Sequence, residues 1–332
     1  MVYPENAVIM APIAGHTDLP MRLSAARHGC RYAFTEMIDA GSLVYAVKKT
    51  ARLMERSPEE KFLGIQLVGS DPVILEEAVK IINDLNFDVL DFNLGCPAPK
   101  VAKKGEGITL ALKDPDLAIR CVETLVKHSR IPVTAKTRIQ SETDPEVTLQ
   151  FCQRLENTGI SALTLHGRVM KVFYSGPVFY DIIRLIRENL KIQLIANGGA
   201  LTPATYQDLV QHSTCSCAMI ARGAMGNPWI FEEINGGNPP TVQEFADELE
   251  QHIHDMIQFY GEEQGFKIAR KTILDYLKGR GFASSMRASV SFLSDFDTFN
   301  QMLSEIRTGP SVRYWEFLEA HPDEVERKLR KV

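Results

Sequence analysis

Val89-Leu90-Asp91-Phe92-Asn93-Leu94-Gly95-Cys96-Pro97 reads as a short apolar run stopped by a Gly-Cys-Pro turn. Six such residues are too few for a helix and too uniformly apolar for a strand with one face in water, so the run predicts a strand buried on both faces. Seven more runs of this kind occur, at Ala7 to Ile13, Tyr32 to Glu36, Phe62 to Val68, Val133 to Thr137, Ala162 to His166, Gln193 to Asn197 and Ala218 to Arg222. Each is bounded by Gly, Pro or Asp and followed by a longer segment with helical spacing. Such connections fit helical crossovers between parallel strands, which antiparallel hairpins do not need. The pattern is α/β, a (β/α)8 TIM barrel.

The helix starts agree. Asp71-Pro72 opens Val73 to Leu85, Asp114-Pro115 opens Asp116 to His128, and Thr202-Pro203 opens Ala204 to Gln211, each with a capping side chain ahead of a proline in the first turn. After Phe231 the texture changes. Gly236-Gly237-Asn238-Pro239-Pro240 marks a linker, no further strand-like run follows, and from Thr241 the chain reads as all helical. The expected organisation is a catalytic barrel over residues 1–235 followed by a C-terminal all-helical domain over 236–332.

The chain has 332 residues, 45% hydrophobic and 24% charged, with a net charge of −5, which excludes a disordered or fibrous protein and a globally basic nucleic-acid coat. A local basic face on an acidic body remains compatible with that total. The N-terminus does not read as a secretory signal and no apolar stretch is long enough for a membrane span, so the expectation is a cytoplasmic protein without a membrane partner. Six scattered cysteines suit reduced thiols rather than a disulfide framework. Cys215 and Cys217 lack a second ligand pair and read as buried strand residues, so no metal is expected.

Unusual polar residues stand at the strand ends, where such barrels carry their chemistry. Strand 1 runs into Pro12, Ile13 and Ala14; strand 3 carries Gln66; strand 4 ends through Asn93 to Cys96; strand 5 carries Lys136 and Arg138; strand 6 ends in His166 and Arg168. Strand 7 ends in Asn197, Gly198 and Gly199, and strand 8 in Ala221, Arg222 and Gly223. Buried polar groups cost energy unless paired, so this ring implies a polar ligand at one mouth. Gly198-Gly199 and Arg222-Gly223 fall where barrels bind phosphate on bare backbone N–H groups. Lys136, inside an apolar strand, calls for an anionic partner. Cys96 leads into Lys100, Lys103, Lys104, Gly105 and Gly107, read as an exposed, basic, mobile loop that makes the thiol a nucleophile or proton donor.

These stretches together resemble the tRNA dihydrouridine synthases. The matching segments are Ala11 to Asp18, Gln66 to Pro72, Asp91 to Pro97, Val101 to Gly107, Lys136 to Arg138, Leu165 to Arg168, Ala196 to Gly198 and Ala221 to Phe231; Tyr260-Gly261 and Ala269-Arg270-Lys271 look most like the bacterial B-type branch. Three departures stand out: Ile13 where the family usually has Met, Gly199 where it has an acid, and Ile139-Gln140 where it has Leu-Gly.

The resemblance implies FMN at the barrel mouth, NADPH as reductant, and reduction of the C5=C6 bond of a uridine in tRNA. Hydride would add at C6 and Cys96 would deliver the proton to C5, where a serine would be too weak an acid. Asn93 would face the uracil edge, and Lys136 and His166 would pair with flavin and substrate oxygens. Gln66, Asn197, Gly198, Ala221, Arg222 and Gly223, with Pro12, Ile13, Ala14 and Gly199, would hold the flavin. Lys100, Arg138, Arg168, Arg270 and Lys271 would contact the tRNA, whose target base must flip out of its stack. Between Gly265 and Arg287, Lys267, Arg270, Lys271, Lys278, Arg280 and Arg287 face one acid, Asp275, a local charge of +5 expected to join Lys100–Lys104 in binding phosphates. No obligate protein partner is inferred. The alternative from the residues is an FMN enzyme acting on a free pyrimidine, of the dihydroorotate dehydrogenase kind, which would have little use for a basic tail.

Overall fold

The computed structural model describes residues 1–46 and 48–331. All eight predicted strands form: β1 (Val8–Met10), β2 (Ala33–Asp39), β3 (Leu63–Val68), β4 (Val89–Leu94), β5 (Val133–Arg138), β6 (Ala162–His166), β7 (Gln193–Asn197) and β8 (Ala218–Ile220). Every pairing is parallel, in the order β1-β8-β7-β6-β5-β4-β3-β2. A bridge between Ile9 and Tyr32 joins the two ends, so the sheet is a TIM barrel. The uniformly apolar runs are explained by burial on both faces: β3 and β4 are buried along their full length.

The capped prolines start helices as expected. Asp71 Oδ1 accepts from Val73 N–H at 2.9 Å ahead of Pro72–Ile82, and Asp114 Oδ1 accepts from Leu117 N–H at 2.9 Å ahead of Pro115–His128. Side chains drawn largely from the first residues of the strands, among them Ile9, Phe34, Val89 and Ala162, pack with Tyr3 into one apolar cluster. The N-terminal half of the barrel is therefore filled with hydrocarbon, and the polar groups are left to the C-terminal ends.

By contact the chain divides into two compact units. The first is Met1–Asp18, Arg31–Ala200 and Ala204–Ala221, the second Leu19–Cys30, Leu201–Pro203 and Arg222–Val332. The cut expected at 235/236 thus falls inside the second unit, which also takes the helix Leu19–Arg27 from the βα repeat. The reason lies in its pairing: Arg27 Nη2 meets Glu248 Oε1 at 2.7 Å and Arg27 Nη1 meets Asp255 Oδ2 at 2.8 Å. The second unit has its own core, built on Trp229, Phe245, Leu249, Phe266, Ile273 and Tyr276. It is helical apart from an isolated bridge between Thr241 and Arg330. Among the described residues no helix is long and apolar enough to cross a membrane.

Candidate active site

Parallel register places the polar residues on two successive levels near the C-terminal strand ends. Asn93 is the partner of Lys136 across β4 and β5, Arg138 of His166 across β5 and β6, and His166 of Asn197 across β6 and β7. One hydrogen-bonded chain begins on Asp91, whose carboxylate accepts from Thr134 Oγ1 at 2.7 Å and from Gln66 Nε2 at 2.7 Å. Gln66 Oε1 then accepts from Asn93 Nδ2 at 2.9 Å. Asn93 Oδ1 in turn accepts from the backbone N–H groups of Gly95 at 3.0 Å and Cys96 at 2.8 Å. The amide of Asn93 so fixes the turn that carries the thiol. Asp91 was quoted in the sequence motif but given no role; burial raises its carboxyl pKa, against the hydrogen bonds from Gln66 and Thr134 and the Lys136 charge. An acid inside an apolar strand was the available signal.

Lys136 Nζ donates to Asn197 Oδ1 at 3.1 Å, and Asn197 Nδ2 donates to Met219 O at 2.8 Å. Burial, reinforced by the positive charge of Arg138, lowers the Lys136 pKa to about 8 despite Asp91 and Cys96. Arg138 is buried and structural in part: Nε donates to Gly95 O at 2.8 Å and Nη1 to Phe173 O at 2.7 Å. It ties the cysteine turn to the β6 loop. The ring of Tyr174, half exposed and 5.4 Å from the Arg138 guanidinium, lies beside it; sequence reasoning missed this aromatic, for which position alone gave no signal. Arg168 Nε donates to Gly176 O at 3.0 Å, and its Nη1 stands 3.5 Å from His166 Nε2.

The segment after Cys96 corrects the sequence reading. It is not an open loop: Pro99–Lys103 and Ile108–Lys113 are helical, Val101 is buried, and the Lys104 ammonium pairs with the Asp39 carboxylate. Spacing was too short to show a helix of five residues. Lys100 and Lys103 remain exposed, and Cys96 is half-buried while the other five cysteines are buried, Cys215 and Cys217 included. Gly107, with φ +62°, brings its Cα so close that a Cβ there would lie 2.7 Å from Cys96 O.

Pro12, Ile13 and Ala14 follow β1 in a turn where Thr17 Oγ1 accepts from Ile13 N–H at 3.0 Å. Gly198 and Gly199 both have positive φ, and a Cβ on Gly198 would lie 2.9 Å from the His166 ring. The departure at 199 therefore has a backbone reason, since a side chain at φ +77° would be strained. Ala221 closes the first unit; exposed Arg222 and buried Gly223 belong to the second, in the single turn Arg222–Ala224. Arg270 and Lys271 also lie in the second unit. Arg270 Nε and Nη2 both donate to Leu293 O, at 3.0 and 2.8 Å, while Lys271 is exposed. Arg280, counted in the basic segment, is fully buried: it donates to Gly226 O, Tyr276 O and Asn227 Oδ1 and lies over the rings of Trp229 and Phe245.

The bare backbone at Gly198 beside the His166 ring and the half-buried Lys136 ammonium, steadied by Asn197 Oδ1, are donors at the C-terminal strand ends that would suit an anionic, oxygen-bearing ligand. The family model for dihydrouridine synthase (Dus) matches residues 9–308. The chain belongs to the dihydrouridine synthase family. It is an enzyme, an oxidoreductase of that family. Among its relatives, tRNA-dihydrouridine synthase B of Proteus vulgaris is 34% identical over 298 residues, covering 88% of this chain and 92% of that one. The protein of the same name from Vibrio cholerae is 34% identical over 300 residues, covering 88% and 93%. A probable tRNA-dihydrouridine synthase of Rhizobium leguminosarum is 36% identical over 275 residues, covering 82% and 86%. Histamine dehydrogenase from Rhizobium sp. 4-9 shares the fold, with a TM-score of 0.54 at 12% identity over 75% of this chain and 49% of that one.

Proposed function

We propose that the enzyme reduces the C5=C6 bond of a uridine in tRNA to 5,6-dihydrouridine, with FMN as resident cofactor and NADPH as reductant. The observation that carries this reading is the Asn93 amide, which holds the Cys96 turn from a strand position paired in register with Lys136. When bound, the flavin supplies a hydride to C6 of the uracil. Everything else falls to side chains. Lys136, Gln66, Asn197, the Gly198-Gly199 backbone, Pro12, Ile13 and Ala14 would hold the flavin. Arg222 and Gly223 are proposed for its phosphate. His166 and Lys136 offer N–H donors to oxygens on which negative charge grows as C6 is attacked, which lowers the barrier because the donors are already oriented. The Cys96 thiol gives its proton to C5.

Asn93, used on one side for Gln66 and the turn, borders the substrate uracil, with Arg138, Arg168 and the Tyr174 ring. Lys100 on the barrel, and Lys271 with Arg270 on the helical unit, are proposed for tRNA phosphates, whose contacts offset the few kcal/mol of flipping out a base. Since Arg270 and Arg280 hold carbonyls within the helical unit, the exposed Lys267, Lys271, Lys278 and Arg287 supply most of that unit's accessible charge here. The test is Cys96→Ala: flavin absorbance should persist, and dihydrouridine in tRNA from a strain lacking the gene should fall by at least about a hundredfold. Undiminished reduction would refute the acid assignment.

A further inference from the structure

Beside the site the barrel carries a second recess, of about 520 Å3, between the β5 and β6 loops. Its walls are Leu112, Val169, Met170 and Phe173 on the apolar side and Gln140, Glu142 and Lys171 on the polar side. Three observations give it chemistry. First, Gln140 Nε2 is shut off from solvent and finds no hydrogen-bond partner among the described residues. An unpaired buried donor costs about 1–3 kcal/mol, a cost relieved by any ligand that brings an acceptor. The Gln140 backbone is fixed, its N–H donating to Thr148 Oγ1 at 2.9 Å, so the amide is presented from an anchored position. Second, Lys171 Nζ meets Glu142 Oε2 at 3.3 Å. The recess's one cation is thus matched by its own acid, and its lining attracts a neutral group rather than a phosphate. Third, Phe173 faces both ways: its side chain lines the recess while its carbonyl oxygen holds Arg138.

A flat, neutral ring with an acceptor on its edge satisfies all three, and the recess has room for one nucleobase. We propose that it receives the base of the nucleotide adjacent to the target uridine, read by Gln140 and stacked against Phe173. The inference rests on the tRNA reading above and makes Gln140 a specificity-determining residue.

The test uses the full-length flavoprotein and unmodified tRNA, with Gln140→Leu and, as a second variant that fills the recess by bulk, Met170→Trp. Affinity is measured by fluorescence anisotropy without reductant, on intact tRNA and on tRNAs made abasic at each neighbour of the target. Both variants should weaken intact tRNA by roughly three- to tenfold, the loss of one hydrogen bond and its stacking, with kcat unchanged. The abasic neighbour should erase the difference between variant and wild type. Affinities equal to wild type in both variants would overturn the proposal. So would a raised KM for NADPH with tRNA binding intact, which would give the recess to the dinucleotide. Dihydrouridine is scored in parallel samples of the same proteins and tRNAs supplied with NADPH: its absence with wild type overturns the enzymatic reading and leaves the cavity to be judged by the affinity ratios.

Discussion

Replacing Gly107 by Ala is expected to move the Cys96 thiol, proposed above as the proton donor, by pressing on its backbone. Gly107 has φ +62° and ψ −138°, a region that side-chain-bearing residues occupy at a cost of about 1–3 kcal/mol. The added Cβ would also stand 2.7 Å from the backbone oxygen of Cys96 and 3.3 Å from its Cβ. That oxygen accepts from Ile108 N–H at 3.3 Å, so it cannot retreat freely, and the turn that Asn93 holds must shift by a few tenths of an ångström. Strain and displacement together cost about 2–4 kcal/mol. At roughly 2–4 °C per kcal/mol for a unit of this size, the melting temperature should fall by about 4–16 °C. Cys96 is the half-buried thiol among five buried ones, so alkylation by iodoacetamide reports on it selectively, and its rate should change. Dihydrouridine formation should drop by about tenfold or more, because a proton donor slightly out of line loses most of its advantage. A variant with unaltered melting, alkylation rate and turnover would refute the argument that this glycine positions the thiol.

Three other outcomes follow from the charges. Lys136, lowered to about 8 by burial and by Arg138, binds its proton less readily folded than unfolded. The flavin-free protein should therefore gain stability as pH rises from about 8 toward the unfolded lysine value near 10.4, and Lys136→Met should abolish that slope in denaturant titrations. Glu248 behaves oppositely: burial alone would raise its pKa, but hydrogen bonds from His28, Arg27 and Ser24 and the Arg27 charge bring it down to about 2. Its stabilisation is present above the unfolded value near 4.3 and is lost as pH falls toward 2, so Glu248→Gln should flatten that acid limb. Arg280→Ala should lower stability by about 3 kcal/mol, leaving three carbonyl acceptors unpaired, with unchanged tRNA affinity in the folded fraction, whereas exposed Arg287→Glu should weaken tRNA binding and spare the melting temperature.

The barrel was legible because each strand is buried on both faces, and that demand leaves a continuous apolar run that sequence displays directly. The polar strand ends were legible for the complementary reason: Gln66, Asn93, Lys136 and Asn197 sit where hydrocarbon would otherwise be required, and the structure brings them into hydrogen-bonded chains. What the runs did not reveal were pairings across the chain. The helix Leu19–Arg27 follows β1 as a barrel helix would, and the contacts of Arg27 to Glu248 and Asp255 and of Ser24 to Tyr276, all more than two hundred residues away, tie it to the second unit. Likewise Lys104 looked like one of several solvated lysines until Asp39 was placed against it.

The basic tail shows why counting charge overstates a nucleic-acid surface. An arginine can meet a phosphate or a backbone carbonyl with the same fork of N–H donors, and sequence records the donor without its acceptor. Here Arg280 spends its donors on Gly226, Tyr276 and Asn227, and Arg270 spends two on Leu293. Arg270 thereby ties its helix to the end of the Val290–Phe292 turn, and Arg280 ties the last turn of that helix to the Gly226-Asn227 segment. Lysine is less suited to that task, having a single ammonium on a strongly hydrated stem end. The exposed lysines at 271 and 278 are thus the better candidates for contact with phosphate, Lys267 meeting Glu263 Oε1 at 2.6 Å, and salt dependence of tRNA binding should track their removal rather than that of the arginines at 270 and 280.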